Sequence, residues 1–122
     1  MYTAAVQVRF SAAHRHRGRR EECGRIHGHN YRAEALAEAE ALEEGMAVDF
    51  SLLRELMLAA VEGWDHRLLN ETEDFRGEPP TTEAIARRLY EKVAATLPPG
   101  RCRLREVKVF ETDDCWASYA KV

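Results

Sequence analysis

Residues 31 to 45, YRAEALAEAEALEEG, constrain the fold of this chain more than any other stretch, because they read two ways. Ala, Glu and Leu are strong helix formers, so composition favours a helix. The same residues also alternate. Tyr31, Ala33, Ala35, Ala37 and Ala39 take turns with Arg32, Glu34, Leu36, Glu38 and Glu40, which is the period of a strand with one largely polar face. The residues alone leave both readings open, with propensity on the side of the helix.

The flanking segments are less ambiguous. AAVQVRFSA, residues 4 to 12, alternates Val6, Val8 and Phe10 with Gln7 and Arg9, as a strand does. DFSLLRELMLAAVEG, residues 49 to 63, predicts a helix capped by Asp49 or Ser51, with Leu52, Leu53, Leu56, Met57 and Ala60 as its apolar stripe. A turn-rich connection, residues 70 to 80, precedes a second helix over 82 to 97. Thr81 caps it, Ile85, Leu89, Val93 and Leu97 line its buried side, and Pro98-Pro99-Gly100 ends it. RLREVKVFE, residues 103 to 111, alternates imperfectly through Leu104, Val107 and Val109, and CWASYAKV, residues 115 to 122, is expected as a final strand after a TDD turn. The 122 residues suit one domain, 1–122, in an α+β arrangement with both helices on one side of an antiparallel sheet. So short a sheet leaves edges. An oligomer joined edge to edge is expected, with the Ala-rich segment able to pair closely with a neighbour there.

Charge and cysteine content narrow the function. A net charge of -3 argues against a general nucleic-acid binder. The local exception is HRHRGRREECGR, residues 14 to 25, either a solvated loop or a collar for an anionic, phosphate-bearing substrate. No stretch is apolar for long enough to cross a membrane, and MYTAAVQV lacks the pattern of a signal peptide. Three cysteines fit a disulfide scaffold poorly, so reduced thiols in the cytoplasm are expected.

The chemistry concentrates in CGRIHGHNY, residues 23 to 31. On an extended segment His27 and His29 point to one face, near enough to share an ion. His14, at the end of the first strand, completes three imidazoles if that strand pairs with the one after His29, and three imidazoles with an open fourth position are the usual arrangement of catalytic zinc. His16 is the local rival to His14. Cys23 is either a fourth ligand, closing a structural site, or a thiol made reactive by a metal and arginines beside it. Cys102 and Cys115 have no such surroundings. Asp65-His66 reads as a surface pair or as a proton shuttle. Glu111 is a plain hairpin carboxylate or a bidentate grip on an amidine-like edge.

FSAAH (10 to 14), CGRIHGHNY (23 to 31), GMAVDF (45 to 50), WDHRLLN (64 to 70), PTTE (80 to 83) and VKVFET (107 to 112), in this order, resemble the 6-pyruvoyltetrahydropterin synthase and 6-carboxytetrahydropterin synthase family over nearly the whole chain. The short spacing from Cys23 to His27 is similar to that of the 6-carboxytetrahydropterin (QueD-type) branch.

The resemblance implies the tunnelling fold, or T-fold. This is a four-stranded antiparallel sheet with two helices on one side, protomers joining into a homo-oligomeric barrel, and residues 31 to 41 in a strand. It implies Zn2+ on His14, His27 and His29, a catalytic thiol at Cys23, a proton-relay pair at Asp65 and His66, and active sites at subunit interfaces. It also implies a pterin anchor at Glu111, with Thr81, Thr82 and Glu83 near the pterin. The implied substrate is 7,8-dihydroneopterin triphosphate, converted to 6-carboxy-5,6,7,8-tetrahydropterin with loss of acetaldehyde and triphosphate on the route to queuosine and related deazapurines. Arg15, Arg17, Arg19, Arg20 and Arg25 are candidates for the triphosphate. The pyruvoyl synthase, which eliminates triphosphate and keeps the side-chain carbons, and a non-catalytic structural zinc protein are the alternatives.

Overall fold

A computed structural model describes residues 1–18, 21–100 and 102–122. Its elements run β1 (Tyr2–His14), α1 (Glu21–Gly24), β2 (His27–Ala39), α2 (Phe50–Val61), β3 (Arg67–Leu68), α3 (Thr82–Thr96), β4 (Cys102–Phe110) and β5 (Trp116–Tyr119), with two short 3-10 turns between β3 and α3. Among the described residues they form one five-stranded sheet in the order β3-β1-β2-β4-β5.

Residues 31 to 39 are strand, against their helix propensity. β2 pairs antiparallel with β1 on one side and β4 on the other, so it is the centre of the sheet. Helix propensities differ by only a few tenths of a kcal/mol between such residues, and two full ladders outweigh them. The alanines face the helices. Ala33, Ala35 and Ala37 are fully buried, and their small side chains let Leu53 and Met57 of α2 and Ile85, Leu89 and Val93 of α3 pack down onto the sheet. The expectation that this segment lines an edge and meets a neighbouring protomer is therefore corrected: the sheet's own strands cover it. Its glutamates find partners on the opposite face, Glu34 with Gln7 at 2.6 Å and Glu38 with Arg103.

The expected four-stranded, wholly antiparallel sheet is also corrected. β3 adds a fifth strand, parallel to β1, through Ala12↔Arg67 and Ala13↔Leu68. Two residues are too few to leave a periodic signature, and the contact depends on the Asp65-His66 dipeptide just before it. His66 N donates to Ser11 O (2.6 Å), and Ser11 N donates to Asp65 Oδ1 (2.9 Å), so the dipeptide captures both backbone groups of one β1 residue. His66 takes a left-handed φ of 60° to do so, an uncommon conformation for a residue with a Cβ.

The broken alternation of β4 has a local cause. Leu36 faces Glu106 while Ala37 faces Leu104, so Arg105 is an extra residue on β4. This bulge turns Leu104 and Val107 to the same buried face although they lie three apart. Both helix starts are capped as predicted: Asp49 Oδ1 accepts from Ser51 N (2.8 Å), and the Thr81 hydroxyl accepts from Ala84 N (3.2 Å). Among the described residues no helix is long and apolar enough to cross a membrane.

Candidate metal centre

The antiparallel register builds the centre. β1 ends at His14 directly opposite His27, the first residue of β2, and His29 lies opposite Ala12. All three imidazoles therefore share the helix-covered face at one end of the sheet. Their ring centroids lie 4.6 Å (His14–His27), 5.2 Å (His14–His29) and 5.0 Å (His27–His29) apart. One ligating atom from each falls within 4.8 Å of the others. An aromatic run braces the cluster from below. Phe10 stacks on Tyr31 at 5.0 Å, Trp64 packs on Phe10 at 5.8 Å, and Trp64 Nε1 is held by Asp74 at 2.9 Å.

Hydrogen bonding sets the tautomers. His14 Nδ1 lies 2.7 Å from Pro80 O, and His27 Nδ1 lies 2.8 Å from Arg25 O. A carbonyl only accepts, so each Nδ1 carries the proton and each Nε2 keeps its lone pair. Metal-ligating histidines usually donate their other ring N–H to an acceptor in this way. Burial lowers the pKa of His14, against its bond to Pro80, and His27, Glu111 and His29 add smaller effects. Burial likewise lowers His29, opposed by Glu111 and reinforced by His27 and His16. Both rings are thus neutral near pH 7.

Glu111 enters the same space. Its Oε1 is 3.3 Å from His14 Nε2 and 3.3 Å from His29 Nε2, yet both nitrogens are buried without a hydrogen-bond partner. Proximity without a hydrogen bond, between lone pairs and a carboxylate, calls for a cation. These residues therefore fit a divalent metal with a preference for nitrogen and oxygen. Tyr31 Oη lies 3.2 Å from His14 Nδ1, and burial with the nearby Glu111 holds its phenol well above the ordinary range, as a neutral hydroxyl.

The other expected residues are placed as follows. His16 does not replace His14 but joins it. The two rings are 5.1 Å apart, and His14, His16 and Glu111 form a second group with ligating atoms within 4.8 Å. Cys23 sits half-buried on α1 and belongs to neither group. Its carbonyl accepts from His16 N at 2.9 Å. A Cβ on Gly18 would lie 2.7 Å from the Cys23 sulfur, so only glycine lets the chain pass over this thiol. Thr81, Thr82 and Glu83 begin α3 immediately after Pro80, whose carbonyl grips His14. His66 is 82% exposed, with Nε2 3.7 Å from Asp65 Oδ2. It opens onto a cavity of about 440 Å³ lined also by Ser11, Ala13, Gly28, Asn30 and Arg67. Ser11, Ala13, Gly28 and Asn30 alternate with the imidazole-bearing residues, while Ala12 and His29 line the same cavity, so it reaches the imidazole cluster as well. Arg15 and Arg17 are exposed beside a second cavity of about 340 Å³. Arg25 is exposed and lends its carbonyl to His27, while Arg19 and Arg20 lie outside the described residues.

Sequence reasoning missed the contributions of Tyr31, Asn70 and the Pro80 carbonyl. Asn70 pairs its amide with both backbone groups of Arg15, at 2.9 Å each. A backbone acceptor leaves no mark in a sequence, but Asn70 lies in the quoted WDHRLLN motif and Tyr31 ends CGRIHGHNY.

A sheet with two helices on one face and three imidazoles gathered at one end makes a site suited to metal-assisted chemistry. Comparison with known proteins agrees. The family model described as 6-pyruvoyl tetrahydropterin synthase matches residues 3–122, and the chain belongs to this family. A Bacillus subtilis protein named 6-carboxy-5,6,7,8-tetrahydropterin synthase is 36% identical over 104 residues, 80% of this chain and 69% of the relative. A Pyrococcus furiosus protein named dihydroneopterin monophosphate aldolase is 33% identical over 105 residues, 86% of this chain and 85% of that one. The Caenorhabditis elegans 6-pyruvoyl tetrahydropterin synthase structure superposes with a TM-score of 0.88 at 26% identity, covering 99% of this chain and 96% of the other.

Proposed function

We propose that this chain is a zinc-dependent lyase that converts 7,8-dihydroneopterin triphosphate and water to 6-carboxy-5,6,7,8-tetrahydropterin, acetaldehyde and triphosphate, serving queuosine-type biosynthesis. The observation that carries the reading is the three-imidazole cluster preceded at four residues' distance by Cys23. The Bacillus subtilis relative named for the same product supports it.

Zinc held by His14, His27 and His29 would supply Lewis acidity to the hydroxyl oxygens of the substrate side chain. Cys23 and His66 exchange protons with the side-chain carbons next to the ring. Asp65, fixed by Ser11 N, orients His66, whose Nε2 lies 3.7 Å from Asp65 Oδ2. Glu111 grips the planar pterin edge through paired hydrogen bonds, with Thr81, Thr82 and Glu83 beside it. The arginines around residues 15 to 25 attract the triphosphate. His66 is 82% exposed, which leaves room for a second copy of the chain to complete the site. The outer edge of β1 from Tyr2 to Phe10 has no strand partner among the described residues and suits such edge-to-edge assembly into a barrel. The free thiols of Cys23, Cys102 and Cys115 suit a cytoplasmic setting.

A second reading is favoured by the Pyrococcus furiosus relative, whose identity is comparable. Product analysis separates the possibilities. Acetaldehyde with triphosphate identifies the carboxy synthase. Triphosphate without acetaldehyde identifies the pyruvoyl synthase, and a phosphorylated two-carbon aldehyde from dihydroneopterin monophosphate identifies an aldolase. Cys23→Ala is expected to keep its metal and lose turnover. Zinc absorption spectra showing a sulfur ligand would instead make Cys23 structural.

A further inference from the structure

We infer that Glu111 supplies the fourth ligand of the resting metal, so that the carboxylate expected to hold the pterin first closes the metal site. The inference rests on the metal reading above, and three observations carry it.

The first is distance. Two ligands of a tetrahedral zinc, each about 2.0–2.1 Å from the ion, stand roughly 3.3–3.5 Å from one another. Glu111 Oε1 stands at 3.3 Å from Nε2 of both His14 and His29, two separate nitrogens at the spacing of a shared coordination sphere.

The second is the lack of a proton to explain the approach. Pro80 O takes the Nδ1 proton of His14, and neither Nε2 makes a hydrogen bond, so the carboxylate is not there as a hydrogen-bond acceptor. A carboxylate oxygen converging with two buried ring nitrogens that make no hydrogen bond has a cation as the natural common partner.

The third is the position of the backbone. Glu111 N donates to Cys115 O at 3.0 Å, which fixes the residue at the root of the β4–β5 hairpin. The side chain thus points into the cluster from a rigid strand end rather than from a loose loop.

His16 is the competing donor, since it shares the second group with His14 and Glu111. Its Nδ1 sits 3.0 Å from Arg17 O, so its Nε2 is also free. It follows β1 in the chain, and its ring is 6.5 Å from that of His27, farther than any separation among His14, His27 and His29. The His14 Nδ1 proton is committed to Pro80, so His14 ligates through one nitrogen only, and the two groups that share it cannot hold two ions at once. A Glu111 that ligates a metal through Oε1 would have only Oε2 left for the pterin edge, so the paired grip on the pterin would require Glu111 to leave the metal.

The test is metal retention and metal spectroscopy without substrate, on wild type, Glu111→Gln and His16→Ala. Zinc affinity is read by competition with a chromophoric chelator, and coordination by the visible absorption of the cobalt-substituted protein. Glu111→Gln is expected to bind zinc at least about tenfold more weakly and to change the cobalt spectrum, while His16→Ala changes neither. A Glu111→Gln protein with wild-type zinc affinity and spectrum, impaired only in KM, would overturn the inference and leave Glu111 a pterin anchor alone. The same changes appearing on His16→Ala instead would overturn it in favour of His16. A wild-type chain that binds no metal would remove the metal reading itself, a failure distinct from either.

Discussion

His14 and His66 are the same side chain in opposite settings. His14 is fully buried at the end of β1, its Nδ1 committed to a backbone carbonyl, its Nε2 3.3 Å from Glu111 Oε1 and its ring beside two other imidazoles. His66 is 82% exposed on a strained turn, beside a carboxylate and facing an open cavity. A metal ligand must be neutral, held in one tautomer and sheltered, and burial enforces the first of these by lowering the pKa. A proton carrier must reach solvent and substrate in both charge states. The difference is what the two tasks proposed for these histidines require.

The largest effects should separate these tasks. His29→Ala is expected to abolish metal binding and turnover together. His66→Ala is expected to lower kcat by about 10²–10⁴-fold with metal content unchanged. Loss of metal from the His66 variant would break the comparison. Tyr31→Phe removes the hydroxyl 3.2 Å from His14 Nδ1 and should weaken zinc binding by about tenfold, measured by chelator competition, while leaving the fold intact.

A smaller effect is expected with pH. His14 and His29 have folded pKa values below the unfolded value of about 6.5, so over that window the unfolded chain binds more protons. The metal-free protein should lose stability as pH falls from about 6.5 toward the folded pKa values, and level off below them. Urea midpoints of the metal-free protein at stepped pH check this, and the His14→Gln, His29→Gln double variant should flatten the slope. The smallest effect is that of Thr81→Ala, which removes the α3 cap and should cost about 1 kcal/mol of stability.

Much of this was legible in the sequence where local chemistry decides the outcome. The helix caps at Asp49 and Thr81 and the buried stripes follow from residue type and spacing, whereas the meeting of His14 with His27 and His29 depended on a strand pairing that the residues alone left open. Residues 31 to 39 did not follow, because their state depends on partners far away in the chain: β1 and β4 make a strand of a helix-forming run. β3 was too short to read, and it exists because Asp65 and His66 clasp Ser11. The Glu111 carboxylate was legible as a functional group but not as a neighbour of the imidazoles, since that proximity comes from the β2–β4 register.

The most direct test of the account is zinc content after mild dialysis, with dihydroneopterin triphosphate turnover measured on the same samples of wild type and His27→Ala. The account predicts about one zinc per chain and turnover in the wild type, and neither in the variant. A His27→Ala protein that kept both its zinc and its turnover would contradict it.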